Sequence, residues 1–123
     1  MKNLTELFSI EELDRAINES QRKVVLLFKH SLTCPISSRA FREFESFLAY
    51  ADLRADYNLI TIQTSRSVSN EAAARLNTPH ESPQALLVSH GRTVWSASHF
   101  EITESSLSDA VRAALSEQDS QGG

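Results

Sequence analysis

Cys34 is the only cysteine of the chain and stands in the run His-Ser-Leu-Thr-Cys-Pro-Ile-Ser, residues 30–37. A thiol directly before a proline, just beyond the apolar run Val24-Val25-Leu26-Leu27-Phe28, has the setting of a strand-to-helix turn. Pro35 suits the first helical position, where its missing N–H is no loss. Cys34 then falls at the N-cap, with the amides of Ile36 and Ser37 pointing at its sulfur. Those donors and the helix dipole favour an anionic sulfur, and the thiolate is the nucleophilic form. Ser37 stands where a two-cysteine exchange motif has its second thiol. A hydroxyl donates to a thiolate but does not attack a mixed disulfide, so Cys34 must be resolved by another molecule's thiol. The chemistry expected is monothiol exchange. The plain alternative is a small, buried, apolar cysteine; the strand-to-helix position, Pro35 and Ser37 weigh for a reactive one. His30 is either a surface histidine or, as imidazolium, a partner of the thiolate.

Elements that position this turn are legible on both sides of it. Ser9 followed by Glu12 fits a capping box, and Ile10, Leu13 and Ile17 follow at helical spacing, predicting a helix over 10–20. The apolar run at 24–28 must be covered on both faces, as in a central strand. Ile36, Ala40, Phe41, Phe44, Phe47 and Leu48 predict an amphipathic helix over 35–49. Leu59–Ile62 reads as a strand, and Ser67 or Ser69 as the cap of a helix carrying Val68, Ala72 and Leu76. Ala85–Val88 and Thr93–Ser96 flank the turn His90-Gly91 and form an antiparallel hairpin. Thr103 caps a last helix whose apolar face is Leu107, Ala110, Val111, Ala114 and Leu115. The fold class expected is α/β and thioredoxin-like, of order α-β-α-β-α-β-β-α, with a central four-stranded mixed sheet flanked by helices. Residues 1–116 make one domain, and the polar 117–123 segment is expected to be a disordered tail.

Composition excludes several classes. The net charge is −4 and no long basic run occurs, which argues against a nucleic-acid partner. No stretch approaches the ~20 apolar residues of a membrane span, and the N-terminal residues lack a signal-peptide pattern. A single cysteine excludes an internal disulfide framework. A cytoplasmic location follows as the expectation. His80, His90 and His99, with Glu81 and Glu101, have no convincing ligand spacing, so no metal is expected. In a thioredoxin-type arrangement Ser82-Pro83, ahead of the third strand, holds a cis-proline facing the cysteine, whose flanking backbone pairs with substrate. Thr78-Pro79 reads as an ordinary trans turn.

With these residues in place, the chain resembles the YtxJ family of bacillithiol-system proteins, described as monothiol bacilliredoxins. The resemblance lies in KHSLTCPIS (29–37), RSVSNEAAARL (66–76), HESPQALLV (80–88) and VWSASHFEITESSL (94–107). It implies a thioredoxin-like fold acting on bacillithiol mixed disulfides. Cys34 takes the place of the catalytic cysteine; Pro35, Ile36 and Ser37 complete its motif, with Thr33 just ahead, and Pro83 matches the cis-proline. It also implies a thiol-binding surface drawn from Thr33, His80, Glu81, Ser82, Pro83, Gln84, Ser98 and His99, for which ordinary surface turns are the alternative. Bacillithiol enters as co-substrate rather than as a tightly bound cofactor, and bacillithiolated proteins are the partners. Three other readings remain open. One is an arsenate-reductase-like enzyme with Arg39 holding an oxyanion. The others are an iron–sulfur carrier, against which the bulk of Pro35-Ile36 counts, and a thiol sensor that is merely capped on oxidation.

Overall fold

The computed structural model describes residues 3–122, with side chains through residue 118. Five strands and four α-helices alternate along the chain. They are β1 (Leu4–Glu6), α1 (Ile10–Glu19), β2 (Val25–His30), α2 (Pro35–Leu48), β3 (Asp56–Thr61), α3 (Arg66–Arg75), β4 (Gln84–Ser89), β5 (Arg92–Ser98) and α4 (Glu104–Gly122). A single 3-10 turn, His99–Glu101, joins β5 to α4. The sheet order is β1-β3-β2-β4-β5, with β1, β3 and β2 parallel and β4 and β5 antiparallel to their neighbours.

The expected four-stranded sheet thus gains a fifth strand. β1 pairs Leu4 with Tyr57 and Glu6 with Leu59 along the outer edge of β3. Three residues are too few for a period-2 pattern to stand out, and the strand is held by backbone pairing to a partner more than fifty residues away. The helix after β3 is capped at Ser65 and begins at Arg66, rather than at Ser67 or Ser69. Its start follows the turn closed by Ser65 N–H donating to the Thr61 carbonyl (2.9 Å). α4 continues as helix to Gly122, beyond the expected boundary at 116, and Gln118 Nε2 donates to the Arg22 carbonyl (2.6 Å). Residue 123 of the expected tail lies outside the described residues.

β2 is buried at all six positions, as a central strand covered on both faces must be. Its residues alternate between two cores. Leu26 and Phe28 pack with Phe44, Phe47, Leu107 and Val111 beneath α2 and α4. Val25 and Leu27 pack with Leu13, Ile17, Val68 and Ala72 beneath α1 and α3. The β4–β5 hairpin turns through His90 and Gly91, both at positive φ (53° and 75°), the pairing a type I′ turn requires. Ser20 ties that turn to the end of α1: its carbonyl accepts from His90 N–H (2.7 Å) and its hydroxyl from Gly91 N–H (2.9 Å). Among the described residues no helix is long and apolar enough to cross a membrane.

Candidate exchange site

Strand register gathers the site at one end of the sheet. Lys29 pairs with Gln84 across β2 and β4, Gln84 pairs with Ser98 across β4 and β5, and His30 pairs with Thr61 across β2 and β3. The loop leading to Cys34, the segment ending in Pro83, the turn at His99–Glu101 and the start of the β3–α3 connection therefore all emerge there.

Cys34 caps α2 with extended backbone (φ −103°, ψ 122°), and Pro35 opens the helix. The thiol is half-buried. The helix start is as the sequence predicts, but the sulfur's partners differ: the Cys34 side chain makes no capping hydrogen bond. The Cys34 carbonyl instead accepts from Ser38 N–H (3.0 Å) and so begins the helical ladder.

Ser37 and His30 also take different roles from those expected. Ser37 is completely buried, and its Oγ accepts from Ser31 N–H (2.9 Å). The same oxygen is in hydrogen-bond contact with His30 Nδ1, 2.8 Å away. Ser37 thus links the first turn of α2 to the end of β2, with its hydroxyl committed to His30 rather than to the sulfur. His30 is itself buried and stacks on Phe41 (centroids 4.6 Å apart, 22° between planes). Burial pushes its imidazole below the ordinary value, against the opposing pull of Glu45 and Glu6, so the ring is neutral at pH 7. An imidazolium beside the thiolate is not what His30 supplies; its ring is held neutral by burial and hydrogen-bonded to Ser37.

The Ser82–Pro83 bond is cis, and Pro83 is buried at the head of β4. Its carbonyl accepts from His99 N–H (3.1 Å), which brings the 3-10 turn alongside. Ser98 donates from Oγ to Glu81 (2.9 Å), and His99 Nδ1 lies 3.9 Å from the same carboxylate. Gln84, almost wholly buried, accepts from Glu81 N–H (3.4 Å) and donates to the Pro79 carbonyl (3.1 Å), bracing the segment ahead of the proline. Glu81, Pro83, Gln84, Ser98 and His99 are therefore one connected patch. Ser82 Oγ is buried and has no hydrogen-bond partner among the described residues. His80 is turned the other way at its Nδ1, toward Lys29 Nζ (3.2 Å) and Ser69 Oγ (3.1 Å).

Three residues of this region carry no signal in the sequence. Gln63, beyond β3, accepts from Leu32 N–H (3.0 Å) and donates to the hydroxyls of Ser31 (3.0 Å) and Thr33 (3.3 Å), so it fixes the loop just ahead of Cys34. Lys29 is completely buried in β2, where the apolar run would suggest solvent beyond Phe28. Phe100, exposed on the 3-10 turn, lies under the Arg39 guanidinium at 5.4 Å from the ring centroid. Arg39, the residue an oxyanion site would use, is thus drawn to an aromatic face.

Comparison with known proteins bears on the family and the fold. The profile of the family described as monothiol bacilliredoxin BrxC matches residues 5–107. A solved structure described as a candidate oxidoreductase with a thioredoxin fold is 38% identical, with a TM-score of 0.78, covering 89% of this chain and 94% of its own. The thioredoxin of Fasciola hepatica is 16% identical with a TM-score of 0.69, covering 89% of this chain and 97% of its own. Thioredoxin f of spinach chloroplast in its short form is 16% identical with a TM-score of 0.71, covering 92% and 94%. The last two speak for the fold alone. With one cysteine at the start of α2 and a serine three residues on, a thioredoxin fold and a family match across most of its length, the chain belongs to the monothiol bacilliredoxin family.

Proposed function

We propose that this protein removes bacillithiol, or a similar low-molecular-weight thiol, from mixed disulfides on client proteins in the cytoplasm. The Cys34 thiolate attacks the low-molecular-weight sulfur of the protein–S–S–thiol bond. A new disulfide forms between Cys34 and that thiol, the old one breaks, and the client leaves as its thiolate. Electrons balance, because one disulfide replaces another. A second thiol molecule or a reductase then attacks the capped Cys34 and restores it. Run backwards, the same step places the small thiol on a client.

The observation that carries this reading is a half-buried sulfur at the first turn of α2 whose neighbour at the position of a second thiol is the buried hydroxyl of Ser37. No resolving group is at hand in the chain, so a capped Cys34 waits for an outside thiol. The end of the helix itself favours negative charge in that place. Thr33, the backbone at Ser82 and Pro83, and the polar patch of His80, Glu81, Gln84 and His99 are the surface on which we place the small thiol and the client segment.

Mass spectrometry tests the step directly. Wild type and Cys34→Ala are mixed with a client carrying a bacillithiol mixed disulfide, and both masses are followed. Movement of bacillithiol onto the wild type alone is the expected result. Equal behaviour of the two proteins removes Cys34 from the chemistry.

A further inference from the structure

Among the described residues, Lys29 is the one completely buried cation that the exchange step leaves unused. Its Nζ donates to the Ser69 carbonyl (3.0 Å) and meets His80 Nδ1 at 3.2 Å. An ammonium has three protons and no lone pair, so an imidazole nitrogen facing it must accept. The Ser69 hydroxyl faces the same nitrogen at 3.1 Å. The ammonium requires a bare Nδ1, which the hydroxyl can serve by donating, and the ring proton is left on Nε2. His80 as a whole is exposed and stands three residues ahead of Pro83.

We propose that Lys29 is a positioning residue for the exchange site. From the α1/α3 side of the sheet it holds His80 as the Nε2–H tautomer. The ring thereby offers a fixed N–H donor, beside the Ser82-Pro83 segment, to an acceptor oxygen of the bound thiol. Only this last clause rests on the proposed function; the clamp on His80 stands on the contacts alone.

The charges that face His80 agree with the assignment. Burial, then Lys29 and Arg66, push its imidazole below the ordinary value, while Glu81 pulls the other way, so the ring is neutral at pH 7. Burial holds the Lys29 amine down to about 8, which leaves it mostly an ammonium at that pH. A neutral ring beside an ammonium has one tautomer open to it.

Imidazole nitrogen shifts of ¹⁵N-labelled protein at pH 7 read the tautomer without any activity assay. Wild type is expected to have a protonated Nε2 and a bare Nδ1 on His80. Ser69→Ala keeps that pattern, because Lys29 remains, whereas Lys29→Met gives a mixture of the two forms. A wild-type Nδ1–H signature, or loss of the pattern in Ser69→Ala, overturns the clamp even if Lys29→Met fails to fold. For folded Lys29→Met, the KM for a small-thiol mixed disulfide rises about fivefold, the worth of one ordinary hydrogen bond, with kcat held within about twofold. An unchanged KM in a variant whose tautomer has shifted overturns the positioning role. A wild type that transfers no thiol at all defeats the proposed function instead, and the nitrogen shifts still decide the clamp.

Discussion

Replacing Ser37 by alanine separates two accounts of why a serine stands three residues after Cys34. Its buried Oγ accepts from Ser31 N–H at 2.9 Å and is 2.8 Å from His30 Nδ1. Alanine leaves both groups without that partner. An unsatisfied buried polar group costs about 1–3 kcal/mol. His30 is only 8% exposed and bears most of that cost, whereas Ser31 is half-buried and regains part of its bond from water. The sum is about 2–3 kcal/mol, or a fall in Tm of roughly 10 °C for a domain of this size. Urea titration followed by circular dichroism, at 25 °C and pH 7, measures it. Ser38→Ala is the control, because the Ser38 hydroxyl has no hydrogen bond among the described residues; it should stay within about 0.5 kcal/mol of wild type. Thiol transfer by Ser37→Ala, measured well below its Tm, should stay within about threefold of wild type, since the hydroxyl serves the scaffold. A Ser37→Ala protein as stable as wild type but tenfold or more slower would refute this reasoning and return Ser37 to the sulfur.

Three further outcomes follow. The Lys29 amine, about 8 when folded against 10.5 when free, binds fewer protons folded than unfolded between those values. Stability of wild type relative to Lys29→Met should therefore rise with pH from 8 to 10.5, by at most about 3 kcal/mol, and parallel curves in urea would contradict it. The burial that pushes the Tyr57 hydroxyl up lowers stability in strong base, but equally in both proteins, so it cancels in the comparison. Gln63→Ala releases Leu32 N–H, and amide exchange at Leu32 should quicken by roughly tenfold with global stability changed by less than about 1 kcal/mol; unaltered protection there would mean that Gln63 does not hold the loop. Ser37→Cys adds a thiol three residues after Cys34, the spacing of a two-cysteine exchange motif. A capped Cys34 should then expel its small thiol and close an internal disulfide, seen as a mass about 2 Da below the reduced protein; persistence of the capped form would count against the exchange geometry.

The sequence discloses most of the frame because its signals are local. The capping box at Ser9 and Glu12, the apolar stripe from Ala40 to Leu48 and the His90-Gly91 turn each specify an element within a few residues, and each element is present. Cys34 at the N-cap with Pro35 behind it is legible for the same reason. What escapes is decided by contacts across the sheet. β1 is defined by its pairing with β3, Gln63 reaches back over thirty positions to Leu32, and the exchange between Ser37 and His30 depends on how a strand end meets a helix start. The charge state of His30 belongs to this group too, since burial beneath Phe41 is a property of packing and not of spacing.

Lys29 and His30 are neighbours in the chain, yet strand geometry sends them to opposite sides of the sheet. One steadies the histidine ahead of the proline through α3, the other steadies the turn that carries the sulfur through α2. The two side chains are thus anchored in separate layers of hydrocarbon. Repacking residues under α1 and α3 therefore acts on the segment ahead of Pro83, while the turn that carries Cys34 keeps its own footing.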